Sequence, residues 1–252
     1  MIRALLLGLA LALGAAPLRA EAPCRQALAL GLDVSGSVDA REYRQQIGGL
    51  ADALSDPRVA AALLALPGQP VDLLVYEWSG ASDQAVILPW TAIASDATLD
   101  AVVAKLRGTT RRETSPGTAL GTAMQFGAAR LAERAHCGKH TLDISGDGIS
   151  NYGPRPRDIR HRLEARRLTI NALVIGADAP VPGDSREAEI GGLSSYFRAE
   201  VILGPDAFVQ TALGFDDYAR AMAEKLLREL DGLMVSQISP SRHPLRHLRA
   251  DQ

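Results

Sequence analysis

Short apolar runs alternate with longer segments of helical periodicity along most of this 252-residue chain. Apolar runs that end in polar residues are typical of buried parallel strands, and apolar residues spaced three and four apart are typical of amphipathic helices. Strands that alternate with helices predict a sheet covered on both faces. The pattern therefore predicts an α/β, doubly wound fold: a mostly parallel central sheet with one antiparallel edge strand and helices on both faces.

The individual elements follow from the same patterns. We expect strands at 26–33, 71–78, 84–88, 141–145, 169–175 and 201–203. We expect helices at 39–54, 59–66, 96–106, 117–135, 157–167 and 215–230, with Asp96 as the N-cap of the third. A turn that contains serine and glycine joins the second and third strands, which predicts a hairpin.

The N-terminal segment 1–22 has the pattern of a signal peptide: a basic start, an apolar run at 4–16, and small residues near Ala20 and Ala22. This run is too short to span the ~30 Å hydrocarbon core of a membrane. An N-terminal membrane anchor is the alternative. We expect a periplasmic or secreted protein with no integral membrane segment after cleavage, a single domain at 23–235, and a disordered tail at 236–252.

Composition excludes several classes of function. The 27 basic and 29 acidic residues give a net charge of −2, and only 4% of the residues are aromatic. This charge balance excludes a strongly basic nucleic-acid binder of the usual sort, and so few aromatic residues disfavour base-stacking platforms. We therefore expect no nucleic-acid partner. Two cysteines are too few for a four-cysteine zinc site or a disulfide scaffold.

Polar side chains cluster where predicted strands end and helices begin. Asp33, Ser35 and Ser37 follow the first strand, Asp147 follows a later strand, and Thr118 opens a helix. In such sheets ligands bind at the carboxyl ends of the strands. Carboxylates and hydroxyls form an all-oxygen set, which suits Mg²⁺, whereas the absence of His and Cys from the set disfavours zinc. Taken singly, the serines also suit helix caps and Asp147 a turn.

The combination resembles the von Willebrand factor A (integrin I-like) domain over residues 25–232. In that family the equivalent residues form the metal-ion-dependent adhesion site (MIDAS): Asp33, Ser35, Ser37, Thr118 and Asp147. Thr118 is chosen over Thr114 because Gly121, Ala123 and Met124 continue the family's pattern. Segments 76–80 and 204–208, with D-x-S-G-D-G, also look like a bacterial family of exported A-domain-like proteins of unknown function.

The resemblance implies a protein-binding module rather than an enzyme. Its cofactor would be Mg²⁺, with Mn²⁺ or Ca²⁺ possible, and an open coordination position would accept an acidic side chain of an unknown protein partner. One residue departs from the family, since Gly146 stands where most members have threonine. This change could loosen the loop, or it could recruit Ser145 to support the ligands. Asp143 lies upstream without an assigned role.

The competing interpretation is a metal-dependent hydrolase acting on a phosphate or an ester. Asp33 and Asp147 could hold a catalytic Mg²⁺. However, the chain contains no G-x-S-x-G, no H-E-x-x-H and no phosphate-binding P-loop. The G-D-S sequence at 183–185 lies in a loop rich in Gly and Pro, and we expect it to be a surface turn.

Two further segments are candidates for contact with a partner. We expect a partner-binding rim at four residues after the strand that should lie beside strand one: Glu77, Trp78, Ser79 and Asp83. An exposed Trp78 would be a binding anchor, although a core position suits it equally. Segment 155–167 holds six arginines, which suits either a solvated helix face or a docking surface for an acidic partner.

The resemblance also implies a disulfide between Cys24 and Cys137. The family's first and fourth strands are parallel neighbours, so Asp33 and Asp147 should lie side by side. Cys24 and Cys137 precede these residues by nearly equal distances and should meet at the opposite edge of the sheet. An exported chain reaches an oxidising compartment where such a bond persists. Two free thiols are the alternative.

Overall fold

The computed structural model describes residues 23–176 and 186–236. In these residues the chain forms strands and helices in a largely alternating order. The strands are β1 Cys24–Asp33, β2 Val71–Trp78, β3 Gln84–Ile93, β4 Cys137–Gly146, β5 Thr169–Ile175 and β6 Val209–Ala212. The helices are α1 Ala40–Ser55, α2 Pro57–Leu64, α3 Asp96–Arg107, α4 Leu120–Ala132, α5 Pro156–Leu163, α6 Arg186–Glu200 and α7 Tyr218–Ser236.

The strands form one sheet in the order β3-β2-β1-β4-β5-β6. All neighbouring pairs are parallel except β2 and β3, which form an antiparallel hairpin at the edge. This arrangement confirms the predicted fold class and the predicted hairpin. It also confirms that β1 and β4 are parallel neighbours, so their carboxyl ends lie side by side.

Helices cover both faces of the sheet. Helices α1, α2, α3 and α7 pack on one face, where Leu50 and Met222 are fully buried. Helices α4, α5 and α6 pack on the other, where Met124 and Phe197 are fully buried. Because both faces are covered, the central strands are apolar on both sides, and this explains their near-continuous hydrophobic runs.

A capping box fixes the beginning of α1, the helix that follows the Asp33 loop. The side chain of Asp39 accepts hydrogen bonds from the backbone N–H groups of Arg41 and Glu42, at 2.6 and 2.8 Å. In return, Glu42 Oε2 accepts one from the backbone N–H of Asp39, at 2.7 Å. Such a reciprocal cap satisfies N–H groups that the first helical turn leaves unpaired. The loop between β1 and α1 therefore has a defined end at Asp39.

Three predictions of secondary structure were wrong. The strand predicted at 201–203 is absent, and only Leu203 makes an isolated bridge, to Ile170. The sixth strand is instead β6, whose polar sequence VQTA suits an edge that is only half buried. Helix α6 was missed because two adjacent glycines and a weak apolar stripe obscure its period. Ser95, rather than Asp96, caps α3.

Asp143 belongs to a buried ionic network on the α7 side of β4. Lys225 forms ion pairs with Asp143 and, at 2.7 Å, with Glu229. Asn171 Nδ2 donates to the same Glu229 oxygen at 2.6 Å. Burial raises the pKa of Asp143 to about 7. Since all four side chains are buried, a cation supplied by the chain itself balances the carboxylates at this position.

None of the described helices combines the length and the hydropathy needed to cross a membrane. The predicted signal peptide at 1–22 lies outside the described residues, as does the predicted turn at 183–185. Nearly all of the predicted tail, from residue 237 onward, also lies outside them.

The predicted disulfide is confirmed. Cys24 and Cys137 are paired in the β1–β4 register, and their Sγ atoms are bonded, with Cα atoms 4.5 Å apart. The bond joins positions separated by 113 residues. It attaches the first residue of β1 to the neighbouring strand, a position where chain ends otherwise fray.

We expect the double substitution Cys24→Ser and Cys137→Ser to lower the free energy of unfolding by about 4–5 kcal/mol. The reason is that a closed loop of over a hundred residues restricts the unfolded chain. Urea denaturation of the oxidised parent and the double variant measures the difference. Mass spectrometry of non-reduced peptides is the control, and two alkylatable thiols in protein taken from the periplasm would contradict the bond.

Candidate metal centre

The five candidate ligands come together at the carboxyl ends of β1 and β4. Asp33 is the last residue of β1, and Ser35 and Ser37 follow in the loop that leads to α1. Asp147 follows β4, and Thr118 lies two residues before α4. The site is therefore built from three loops above two neighbouring parallel strands, the position at which sheets of this type bind ligands.

Hydrogen bonds connect the oxygens of these side chains. Ser37 Oγ donates to Asp147 Oδ1 at 2.9 Å, and the Oγ atoms of Ser35 and Ser37 lie 3.3 Å apart. Thr118 Oγ1 donates to Ser35 Oγ at 3.3 Å, and the backbone N–H of Ser35 donates to Asp33 Oδ1 at 2.9 Å. The result is a continuous cluster of hydroxyl and carboxylate oxygens drawn from all three loops.

One carboxylate oxygen in this cluster is left without a partner. Asp33 is fully buried, and its Oδ2 atom accepts no hydrogen bond from the described residues. Burial, and then the charge of Asp147, raises the pKa of Asp33 to about 8. Burial also raises the pKa of Asp147. Two desolvated carboxylates beside three hydroxyls form a donor set that fits a hard divalent cation.

The loop after β1 is held from two sides. Gln46 Nε2, on α1, donates to the carbonyl of Asp33 at 2.8 Å. On the other side lies segment 111–116, in which Thr114 Oγ1 donates to the carbonyl of Val34 at 3.0 Å. The guanidinium of Arg111 in the same segment donates to the carbonyl of Val38. The segment between α3 and α4 thus fixes the backbone from which two of the candidate ligands project.

Thr118 is positioned by the loop that carries Asp147. The backbone N–H of Thr118 donates to Asn151 Oδ1 at 2.9 Å, and its carbonyl accepts from the backbone N–H of Asn151 at 3.0 Å. Ser150 Oγ donates to the same carbonyl at 3.2 Å. Sequence reasoning missed Asn151, although its place shortly after the D-G pair was a usable signal.

The predicted partner-binding rim is wrong for Glu77, Trp78 and Ser79, which are all fully buried. Helices cover both faces of the sheet at β2, and every side chain of this strand is buried. Glu77 accepts hydrogen bonds from the Tyr43 hydroxyl at 2.5 Å and from Arg112 Nε at 3.2 Å. Trp78 belongs to the core, which was the alternative for this residue.

Ser79 and Asp83 hold the loop that leads to Thr118, and the place of Asp83 in the predicted rim stays a prediction. The carbonyl of Ser79 accepts from the backbone N–H of Ala119 at 2.7 Å. Asp83, which is partly exposed, accepts from the backbone N–H of Ser115 through Oδ2 at 2.9 Å. The end of β2 and the turn after it therefore hold the segment before α4, and this segment positions Thr118.

Ser145 and Gly146 are successive residues of β4, so they face opposite sides of the sheet. The hydroxyl of Ser145 lies 3.2 Å from that of Tyr218 on α7, so Ser145 does not support the ligands, and its predicted recruitment is wrong. A Cβ atom on Gly146 would lie 3.4 Å from Asp33 Oδ2 and 3.2 Å from Phe197 Cζ. The glycine thus leaves room for Phe197 of α6 to pack close to the Asp33 carboxylate.

The loop after Asp147 offers an exposed surface beside the ligands. Ile149 and Tyr152 are 59% and 62% exposed, which is unusual for large apolar side chains. Tyr152 also borders a cavity of about 640 Å³ together with Arg155 and Tyr196. This surface was not predicted from the sequence, because nothing local distinguishes an exposed tyrosine from a buried one.

The basic segment 155–167 is used in part to hold α6. Arg157 forms an ion pair with Glu200, and the guanidinium of Arg160 donates to the carbonyl of Ala199. Arg155 and Arg162 are exposed on the same segment. The segment therefore combines a structural contact with a solvated face, and its use as a docking surface stays a prediction.

The sheet order, the helices on both faces and the oxygen-lined loops define a von Willebrand factor type A fold. Among solved structures, this fold is shared with proximal thread matrix protein 1 from the mussel byssus, at a TM-score of 0.57 and 15% identity, covering 84% of this chain and 49% of that one. Another structure of the mussel protein has a zinc-occupied MIDAS motif.

Two bacterial structures share the fold. The pilus adhesin SpaC from Lactobacillus rhamnosus GG matches at a TM-score of 0.56 and 13% identity, covering 84% of this chain and 30% of that one. A von Willebrand factor type A protein from Catenulispora acidiphila matches at 0.53 and 15%, covering 82% and 43%. The chain thus spans half or less of the length of these three proteins.

Within this fold class, the chain belongs to the family described as "Protein of unknown function (DUF1194)", whose model matches residues 23–234. No curated protein matches the chain.

In metal-free protein we expect stability to fall as the pH rises from about 4 to about 8. Folded Asp33 keeps its proton up to a pKa of about 8, whereas in the unfolded chain it returns to its ordinary value of 3.8. A folded-state pKa above the unfolded one stabilises the protein at low pH, and this stabilisation is lost through the folded pKa. Asp33→Asn removes the titration and should raise stability at pH 8 in EDTA by about 2–4 kcal/mol.

Urea denaturation at a series of pH values measures this effect. Asp83→Asn is the control, because hydrogen bonds from the hydroxyl and backbone N–H of Ser115 lower the pKa of Asp83. Asp83 therefore titrates below its ordinary value of 3.8, outside the range of the Asp33 effect, and Asp83→Asn should leave the slope between pH 4 and pH 8 unchanged. Identical pH profiles for the parent and Asp33→Asn would contradict the prediction.

Proposed function

We propose that the protein is an exported, metal-dependent protein-binding module of the adhesion type. One divalent cation would be held by the five clustered residues: Asp33, Ser35, Ser37, Thr118 and Asp147. The observation that carries this proposal is the buried Oδ2 atom of Asp33, which lacks a partner among the described residues and belongs to a cluster of oxygen donors. A buried carboxylate oxygen without a donor is costly unless a cation or a proton satisfies it.

The donor set supports a recognition role better than a hydrolytic one. A bound cation with an open coordination position gives a partner carboxylate a charge-assisted contact in a partly desolvated cluster. Within the described residues, the hydrogen bonds among the five side chains involve only hydroxyls, carboxylates and one backbone amide. Neither a histidine nor a lysine joins them as a base, so no observation favours the hydrolase alternative.

All-oxygen ligands favour Mg²⁺, with Mn²⁺ and Ca²⁺ as further candidates. The zinc in the MIDAS motif of the mussel matrix protein makes Zn²⁺ a fourth metal to test. The Cys24–Cys137 disulfide supports export, because such bonds persist in oxidising compartments. We therefore propose the periplasm or the exterior of the cell as the location of the module.

The surface beside the ligands suggests the kind of partner. Ile149 and Tyr152 expose apolar side chains on the loop that follows Asp147. Exposed aromatic residues are frequent anchors at protein interfaces. We propose a protein partner whose acidic side chain reaches the cation while neighbouring apolar groups contact Tyr152.

Calorimetric titration with Mg²⁺, Mn²⁺ and Zn²⁺ should show one all-oxygen site per chain. Asp33→Ala should abolish binding, and Ser35→Ala should weaken it at least tenfold because it removes a candidate ligand. Ser145→Ala is the matched control: its hydroxyl is also buried near a strand end, but it faces Tyr218. Equal affinities in the parent and Asp33→Ala would refute the metal centre.

Cross-linking in a periplasmic extract should capture a partner with Mg²⁺ but not with EDTA, and Asp33→Ala should capture none. Tyr152→Ala should weaken capture while leaving the calorimetric metal affinity unchanged, since Tyr152 is exposed and is not a candidate ligand. Capture that persists in EDTA would show that binding does not depend on the cation.

A further inference from the structure

A second group of metal-ligand-type side chains lies at the amino ends of the central strands, opposite the candidate metal centre. It consists of Cys24, Asp72, His136 and Cys137. Each offers one ligand atom, and these four atoms all lie within 4.8 Å of one another. Cys24 begins β1, Cys137 begins β4, and Asp72 is the second residue of β2. Three neighbouring strands and the residue before β4 therefore supply the group.

The distances between these four ligand atoms are close to those around a tetrahedral zinc ion. Bond lengths of ~2.3 Å to sulfur and ~2.0–2.2 Å to nitrogen or oxygen place the ligand atoms of such an ion about 3.3–3.8 Å apart. Small side-chain movements convert the present arrangement into that one. Two thiolates with an imidazole and a carboxylate form a four-ligand set of the kind that zinc prefers over magnesium.

The bonded cysteines cannot act as thiolate ligands while the disulfide is intact. We propose that reduction of the Cys24–Cys137 disulfide converts this edge of the sheet into a zinc site formed by Cys24, Asp72, His136 and Cys137. A dithiol reductant supplies two electrons and two protons to the S–S bond and becomes a disulfide itself. Zinc then displaces both thiol protons and binds the two thiolates.

The surroundings hold these ligands in place. Cys24 and Cys137 are register partners in the β1–β4 ladder, which brings their backbones side by side. Arg134 Nε lies 3.2 Å from Asp72 Oδ2 and orients this carboxylate, as neighbouring groups commonly do for metal ligands. His136 Nε2 lies 3.9 Å from Cys137 Sγ. The inference does not depend on the proposed function, because it uses different residues at the opposite edge.

Cobalt is the probe that separates this site from the all-oxygen one. We would reduce the purified protein with a phosphine under anaerobic conditions and titrate it with Co²⁺ and then Zn²⁺. A thiolate-to-cobalt charge-transfer band should appear at one Co²⁺ per chain and disappear when Zn²⁺ replaces it. Oxidised protein should show no such band. Absence of the band in reduced protein would overturn the proposal.

Substitution of the two ligands that are not cysteines tests the geometry. In reduced protein, His136→Ala and Asp72→Asn should each weaken Zn²⁺ binding at least tenfold, since each loses a direct ligand. His161→Ala, which removes an exposed histidine on α5, should leave the affinity unchanged. If all three variants bind as the parent does, or all three weaken equally, the cysteines bind zinc without a defined site and the proposal is wrong.

Discussion

The parallel pairing of β1 with β4 is the constraint on which the rest of the molecule depends. It brings Asp33 and Asp147 together at the carboxyl ends of the strands, although 113 residues separate them in the chain. The same register brings Cys24 to Cys137 at the amino ends. This one strand pair thus has two chemically different ends: hard oxygen donors lie at the carboxyl end, and sulfur lies at the amino end. Because the register is the same along the pair, aligning the residues at one end also aligns those at the other.

The two groups of buried carboxylates differ in the charged and polar side chains that surround them. Lys225 forms ion pairs with both Asp143 and Glu229, and Asn171 donates a hydrogen bond to Glu229, so the chain itself supplies a cation at this position. Asp33 receives a backbone N–H on one oxygen only. Asp33 and Asp143 lie on the neighbouring strands β1 and β4, whereas Glu229 lies on α7. Because a buried carboxylate is costly without a cation or a proton, this contrast supports the proposed role of Asp33 as a metal ligand.

The choice of Thr118 over Thr114 needed the family resemblance, but local sequence was sufficient for strands β1 to β5, because a polar residue after an apolar run marks a strand end wherever it occurs. Local sequence misplaced the sixth strand. It was not sufficient for Glu77, Trp78 and Ser79. Their burial depends on packing from distant parts of the chain, including the segment before α4, which contacts the end of β2. The disulfide could be anticipated only through the strand order that the family resemblance implied.

The position of the disulfide has a mechanical consequence. A pulling force applied between the two ends of the domain enters through Cys24 and crosses the covalent bond directly to Cys137. Residues 25–136, which lie between the two cysteines, therefore carry none of the tension. Asp33, Ser35, Ser37 and Thr118 all lie inside this shielded loop, whereas Asp147 lies outside it. Under load, extension is confined to the chain after β4 begins, and the first three strands and four of the five candidate ligands bear no direct tension.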